Sequence, residues 1–133
     1  MLRTVLTGKL HRVTTTAAKV DYIGSCAIDR TLMVASGILP HEQIHLWNVS
    51  TGARLVTYAI GAPAGSGIIS VNGSAAHHAQ VGDILILAAF AQMTENEAAQ
   101  HEPRVVFVDQ HNRIISEAEA KALGVVTEAV PNA

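Results

Sequence analysis

Apolar and polar positions alternate with period two over most of this chain, and turn residues break the alternation at short intervals. Val5 to Thr16 reads as one or two strands rich in β-branched residues. Val20 to Ile28 reads as another, interrupted at Gly24-Ser25. Asp29 suits the N-cap of a short helix from Arg30 to Ser36; Gly37 ends that helix and Pro40 blocks its continuation. Gln43 to Val49 and Arg54 to Ile60 flank Ser50-Thr51-Gly52, which predicts a hairpin. Gly61 to Gly67 is a Gly/Ala/Pro loop. Ile68 to Val71 is short and apolar, Asn72-Gly73 marks a turn, and Ser74 to His78 suits one helical turn. Val81-Gly82-Asp83 turns the chain into the apolar strand Ile84 to Ala91. Arg104 to Val108 is a further strand, with Asp109 to Asn112 as the turn after it. Ser116 to Leu123 is helix-prone, Gly124 stops it, and the remaining residues are expected to fray. Short strands, regular turns and little helix predict a mainly β fold, a small barrel with short helices. No repeat, low-complexity tract or linker divides the 133 residues, so one domain is expected.

Composition sharpens this picture in two ways. Charged residues are only 15% of the chain against the roughly 25% usual for soluble domains, while 49% is hydrophobic. A small chain so poor in charge is expected to cover surface in an oligomer. Net charge is −2 with no basic patch, which argues against nucleic acid as the main partner. Cys26 is the single cysteine, so no intrachain disulfide can form, in keeping with a reducing compartment. The N-terminus carries Arg3, Lys9 and Arg12 and lacks the long apolar core of a signal peptide. The longest apolar run, Ile84 to Ala91, is far shorter than the ~20 residues that span a bilayer. A cytoplasmic setting without membrane contact is expected.

Most chemical constellations fail on inspection. His41 and His45 share a strand face, but no carboxylate or cysteine completes a metal set, so no metal is expected. Gly61 to Gly67 lacks the Lys-Ser/Thr of a phosphate loop, and Gly65-Ser66-Gly67 does not match a nucleophile elbow. Cys26 sits in an apolar strand and reads as an inert buried thiol.

Gly24-Ser25 survives. Glycine tolerates backbone conformations that other residues resist, and the serine hydroxyl follows that permissive peptide. A strained bond there would let the hydroxyl attack the carbonyl before it, although a lone Gly-Ser is more often a strand irregularity. Lys9 and His11 share a face of the first strand. Arg54, Thr57 and Tyr58 lie on the second strand of the hairpin. Asn72-Gly73-Ser74-Ala75-Ala76-His77 offers small residues and free backbone amides suited to a carboxylate or carbonyl. Taken singly, Arg54 and Lys9 read as solvated strand-end charges and Tyr58 as a half-buried strand aromatic.

Together these residues stand in a familiar order. The opening Met1 to Thr14, the segment Tyr22-Ile-Gly-Ser-Cys-Ala-Ile-Asp29, Asn48 to Ile60, and Ile69 to His77 resemble four segments of the bacterial aspartate 1-decarboxylases at the family's spacing. The resemblance runs from Met1 to about Val108. It implies a double-psi β-barrel, usually a homotetramer, that makes β-alanine from L-aspartate for pantothenate and coenzyme A synthesis. It implies a covalent pyruvoyl cofactor made from Ser25. The Ser25 hydroxyl attacks the Gly24 carbonyl, an N-to-O acyl shift gives an ester, and β-elimination cuts the chain. The dehydroalanine left behind hydrolyses to the pyruvoyl group. The products are a β chain of residues 1–24 and an α chain beginning at position 25, with an accessory maturation factor as an optional partner. A self-made carbonyl fits the chemistry, because decarboxylation must store an electron pair that no ordinary side chain accepts. Thr57 matches the residue that aids activation, able to steady the oxyanion on Gly24. Tyr58 matches the acid that reprotonates the product carbon. Arg54 offers a bidentate fork and Lys9 a second cation for the two carboxylates of aspartate. Gly73, Ser74 and Ala75 would supply backbone contacts, with His11, Tyr22 and Asn72 in support. Ser74 stands where the family usually has alanine. The tail beyond about Ser116 departs most from the family and is expected to be flexible. The competing readings are a non-processing barrel that serves binding or assembly, and decarboxylation of a related acid such as glutamate.

Overall fold

The computed structural model describes residues 1–125. The strands are β1 (Leu2–Thr14), β2 (Ala17–Lys19), β3 (Cys26–Asp29), β4 (Gln43–Asn48), β5 (Arg54–Ala62), β6 (Ile69–Asn72), β7 (Ile84–Thr94), β8 (Arg104–Val108) and β9 (Ile114–Ile115). Three short helices, α1 (Arg30–Ser36), α2 (Glu95–Gln100) and α3 (Glu117–Ala122), and a 3₁₀ turn at Gly73–His78 complete the described chain. The fold is therefore mainly β with short helices, as the alternation predicts. The strands hydrogen-bond in the order β2-β6-β3-β5-β4-β7-β1-β8-β9. Parallel pairings β1–β8, β3–β5 and β2–β6 are set among antiparallel ones.

The alternation works as binary patterning should. In β4, Ile44, Leu46 and Asn48 are buried while the residues between them are not. Leu10, Ile28, Ile44, Leu46, Ile69, Val71, Leu85 and Leu87 are all fully buried and form the centre of the core. Each such side chain is worth roughly 1.5–3 kcal/mol of transfer free energy.

Asp29 caps α1 by accepting the Thr31 N–H at 2.8 Å, and Gly37 ends it in the left-handed conformation at φ 73°. The Asp29 carboxylate also accepts the N–H groups of Gly65 and Gly67, each at 2.9 Å. One buried acid thus joins β3, α1 and the loop after β5. Gly8 lets β1 pass α1 closely: a Cβ there would lie 2.0 Å from the Ser36 carbonyl oxygen.

Several elements differ from the sequence expectation. The strand expected over Val20 to Ile28 is reduced to Cys26–Asp29. The residues before it turn instead: Tyr22 N–H donates to the Lys19 carbonyl, and Gly24 takes φ 94°. β5 continues through Gly61 and Ala62, which the Gly-rich composition had placed in a loop. β7 runs three residues past Ala91 to Thr94, because its outer part pairs with the start of β1, Leu2 opposite Thr94. α2 was not expected at all. The helix read from Ser116 is α3, capped by the Ser116 side chain on the Glu119 N–H. The fraying expected of the last residues concerns 126–133, outside the described residues.

Candidate active site

Ser25 lies just ahead of β3, and two neighbouring strands fix its place. On one side β3 runs antiparallel to β6, with Cys26 opposite Val71, and the Asn72 N–H donates to the Ser25 carbonyl at 2.8 Å. On the other side β3 runs parallel to β5, with Cys26 opposite Ala59. Carried one step back, that register sets Ser25 beside Tyr58. Gly24 turns out of the register: a Cβ built on it would sit 2.7 Å from Ile60 Cδ1. Residue 25 is serine here, so these contacts belong to the uncut chain.

The flank of the Gly24-Ser25 bond is open. Ile23 is 95% exposed and Tyr22 55%, while Gly24 and Ser25 are half-buried. Lys19 holds Tyr22 in place, with Nζ donating to the phenol oxygen at 3.2 Å and lying 4.3 Å from the ring centroid. The Tyr22 carbonyl oxygen lies beside Gly73, 3.5 Å from where its Cβ would be. Gly73 has φ 64°, which starts the 3₁₀ turn and orients its amides. Asn72 is buried, and its Oδ1 accepts the Ser70 hydroxyl at 2.7 Å. Ala75 is buried beneath the turn, and Ser74 is exposed.

Tyr22, Gly24, Ser25, Asn72 and Gly73 are thus drawn together, with Tyr58 beside them by strand register, and Thr57, Ser74 and Ala75 next in sequence. Thr57 pairs with Ile44 and is half-buried, whereas Tyr58 is 37% exposed. Among the described residues, no hydrogen bond, ion pair or strand pairing ties Lys9, His11 or Arg54 to this group. Arg54 is four residues from Tyr58 on β5, about 13 Å along a strand. Lys9 sits on β1, four strand intervals from β3 in the sheet order.

The two cations are nevertheless free to bind anions. Among the described residues, ion pairs form only between Arg3 and Glu95 and between Lys121 and Glu117, so neither Lys9 nor Arg54 is neutralised. Arg54 is instead stacked on Trp47, its guanidinium carbon 4.6 Å from the ring centroid. Trp47 packs in turn against His45 and Phe90. His11 is edge-on to Phe107 at 5.8 Å, and its buried Nδ1 has no hydrogen-bond partner. Burial, then Lys9 and Arg12, hold its imidazole below the ordinary histidine pKa. Burial pushes the Cys26 thiol up to about 12, which makes it inert at neutral pH. Among the described residues no group of three His, Cys, Asp or Glu could hold a metal ion.

Sequence reasoning overlooked Lys19, Trp47 and Asn48. The hairpin register could have revealed Trp47, because it lies directly across from Arg54. Asn48 opens the turn with the Asx chemistry common at such positions. Lys19 carried no signal beyond being three residues before Tyr22. A cavity of about 440 Å³, lined by residues including Arg12, Ile84 and His111, contains none of the site residues.

Comparison with known proteins gives this geometry its context. Residues 1–115 match the family model described as aspartate decarboxylase. The aspartate 1-decarboxylase of Acidovorax sp. (strain JS42) is 57% identical over 113 residues, covering 85% of this chain and 90% of that protein. The aspartate 1-decarboxylase 2 of Gloeobacter violaceus is 54% identical over 116 residues, covering 87% and 93%. The aspartate 1-decarboxylase of Chromobacterium violaceum is 56% identical over 114 residues, covering 86% and 90%. Among solved structures, the rationally designed mkDPBB_sym_86 protein is similar over 58% of this chain and 90% of its own, at 17% identity and a TM-score of 0.43. With a family model over 115 residues and relatives above half identity, the chain belongs to the aspartate decarboxylase family.

Proposed function

We propose that this chain decarboxylates L-aspartate to β-alanine and carbon dioxide after cutting itself between Gly24 and Ser25, with a pyruvoyl group formed from Ser25 as its cofactor. Family membership supports the reaction. The observation that carries the self-cutting is the setting of one peptide bond: a left-handed Gly24, a surface flank, and a Ser25 carbonyl pinned by Asn72 N–H. The fit to a pyruvoyl group is good, because the pinned carbonyl is retained when the serine becomes a ketoacyl group. Once formed, the group would supply a ketone able to take up the substrate amine and to accept the electron pair left by carbon dioxide.

The chain's own residues supply the rest. The Thr57 hydroxyl steadies the oxyanion on Gly24 during cutting. The Tyr58 hydroxyl delivers the proton to the product carbon. The amides of Gly73, Ser74 and Ala75 bind the substrate, with Asn72 and Tyr22 shaping the wall. Arg54 and Lys9 hold carboxylate, and their places on β1 and at the start of β5 suit a homotetramer in which a neighbouring copy brings them in. His11 supports Lys9 as a neutral, apolar-packed neighbour. The double-psi β-barrel suits the parallel pairs β1–β8 and β3–β5 set among antiparallel strands. A cytoplasmic site, supply of β-alanine to pantothenate and coenzyme A synthesis, and help from a maturation factor complete the reading.

Intact-mass spectrometry tests it. Two fragments, residues 1–24 and 25–133, with the larger blocked to Edman sequencing, are expected alongside β-alanine production. Ser25→Ala should remain one uncut chain without activity. Normal cutting and turnover in that variant would overturn the proposal, and a persistent 133-residue species in the unaltered protein would favour a non-processing module.

A further inference from the structure

We propose that Asn48 is a positioning residue that locks the Arg54 hairpin to the Gly73–His78 turn, fixing the two half-sites of each copy relative to one another. The inference rests on the reading that Arg54 and the Gly73–Ala75 amides bind the substrate. Asn48 ends β4 and is 2% exposed. Its amide uses all of its hydrogen-bonding capacity. Oδ1 accepts the N–H groups of Ser50 at 2.9 Å and Thr51 at 3.1 Å, closing the turn that leads into Arg54. Nδ2 donates to the His78 carbonyl at 3.1 Å and to Asp83 Oδ2 at 2.9 Å. Both partners of Oδ1 are donors and both partners of Nδ2 are acceptors, so only one orientation of the amide fits.

Each bond ties down a different element. His78 is the last residue of the turn that starts at Gly73, so Asn48 grips that turn from the far end. Its near end is gripped through Asn72, whose N–H holds Ser25. Asp83 Oδ2 also accepts the Gln80 N–H at 2.9 Å, which extends the clamp to the segment entering β7. The Asn48 bond, then the Gln80 N–H, keep the Asp83 carboxyl below its ordinary pKa. A buried amide with four partners is costly to disturb, and its loss frees the His78 carbonyl.

A charge swap separates positioning from stability. Asn48→Asp keeps the shape and the Oδ1 acceptor but sets oxygen against both the His78 carbonyl and Asp83. Adding Asp83→Asn restores a donor between positions 48 and 83, leaves the Gln80 N–H to water, and cannot restore the bond to His78. The double variant should regain part of the thermal stability lost by Asn48→Asp and mature fully by intact mass. Its KM for L-aspartate should still be raised about tenfold, with kcat within about twofold of the unaltered enzyme. Recovery of KM together with stability would show a merely structural role and overturn the proposal, as would an unchanged KM in the folded single variant. Should Asn48→Asp fail to fold, the double variant decides. Absence of aspartate turnover in the unaltered protein would instead overturn the reading of the site itself.

Discussion

The main-chain N–H of Asn72 donates to the carbonyl oxygen of Ser25 at 2.8 Å, pinning the residue ahead of β3 while the preceding peptide turns away at Gly24. The Ser25 carbonyl is thus fixed beside a glycine whose backbone angle other residues resist.

Gly24→Ala is expected to slow or stop the cut. Its φ of 94° disfavours any Cβ, at about 1–2 kcal/mol, and that Cβ would lie 2.7 Å from Ile60 Cδ1. Adding Ile60→Val removes the clashing methyl and leaves the backbone penalty. Cleavage followed by intact mass should therefore recover only in part in the double variant; full recovery would mean that the backbone angle is unimportant.

Tyr58→Phe should cut normally but lose turnover by about 10²–10⁴-fold, the usual worth of a positioned acid. Measured β-alanine production at the level of the unaltered enzyme would remove Tyr58 from the proton step.

Asp29→Asn should destabilise the fold by about 1–3 kcal/mol, since three N–H groups lose a charged acceptor. Burial alone would raise the Asp29 pKa, but the N–H groups of Gly67, Gly65 and Thr31 outweigh it and hold the acid below its ordinary range. A depressed acid stabilises the fold above its unfolded pKa of about 3.9 and loses that contribution as pH falls further. Urea denaturation should show a steeper loss of stability below about pH 4 in the unaltered protein than in the Asn variant.

His11 acts in a higher window. Its folded pKa lies below the ordinary histidine value of about 6.5, so the unfolded chain binds the proton first as pH falls. The stability associated with neutral His11 is complete above about pH 6.5 and declines below it. His11→Phe should flatten the stability profile just below that pH; an unaltered slope would show that His11 does not contribute.

Gly8→Ala should cost about 1–3 kcal/mol or more, because its Cβ would meet the Ser36 carbonyl at 2.0 Å and neither backbone can yield without moving α1 from β1. A urea midpoint equal to that of the unaltered protein would refute the close approach.

Local rules made much of this legible. Asp29 and Gly37 bracket α1 as cap chemistry dictates, and Arg104–Val108 is the strand that alternation marks. α2 shows a signal that was there to be read: Thr94 and Glu97 form a reciprocal capping box. The shortened β3 was harder, since Val20, Tyr22 and Ile23 look strand-like yet are exposed; only the tertiary setting of Gly24 takes them out of the sheet. The resemblance named Lys9 and Arg54 as partners of Ser25, but nothing local tells how far apart one chain holds them. That separation depends on strand order, which period-two patterns do not encode.

β1 lies between β7 and β8, antiparallel to one and parallel to the other, and β2 is added alongside β6. A cut after Gly24 would therefore free a chain end without freeing a chain. The severed N-terminal piece would stay threaded through the sheet as an interior strand, and the matured protein would be a woven pair of polypeptides. Unfolding such a pair lets its pieces diffuse apart, so rebuilding each barrel becomes a second-order event that slows with dilution, whereas an uncut precursor chain carries both pieces of its own barrel.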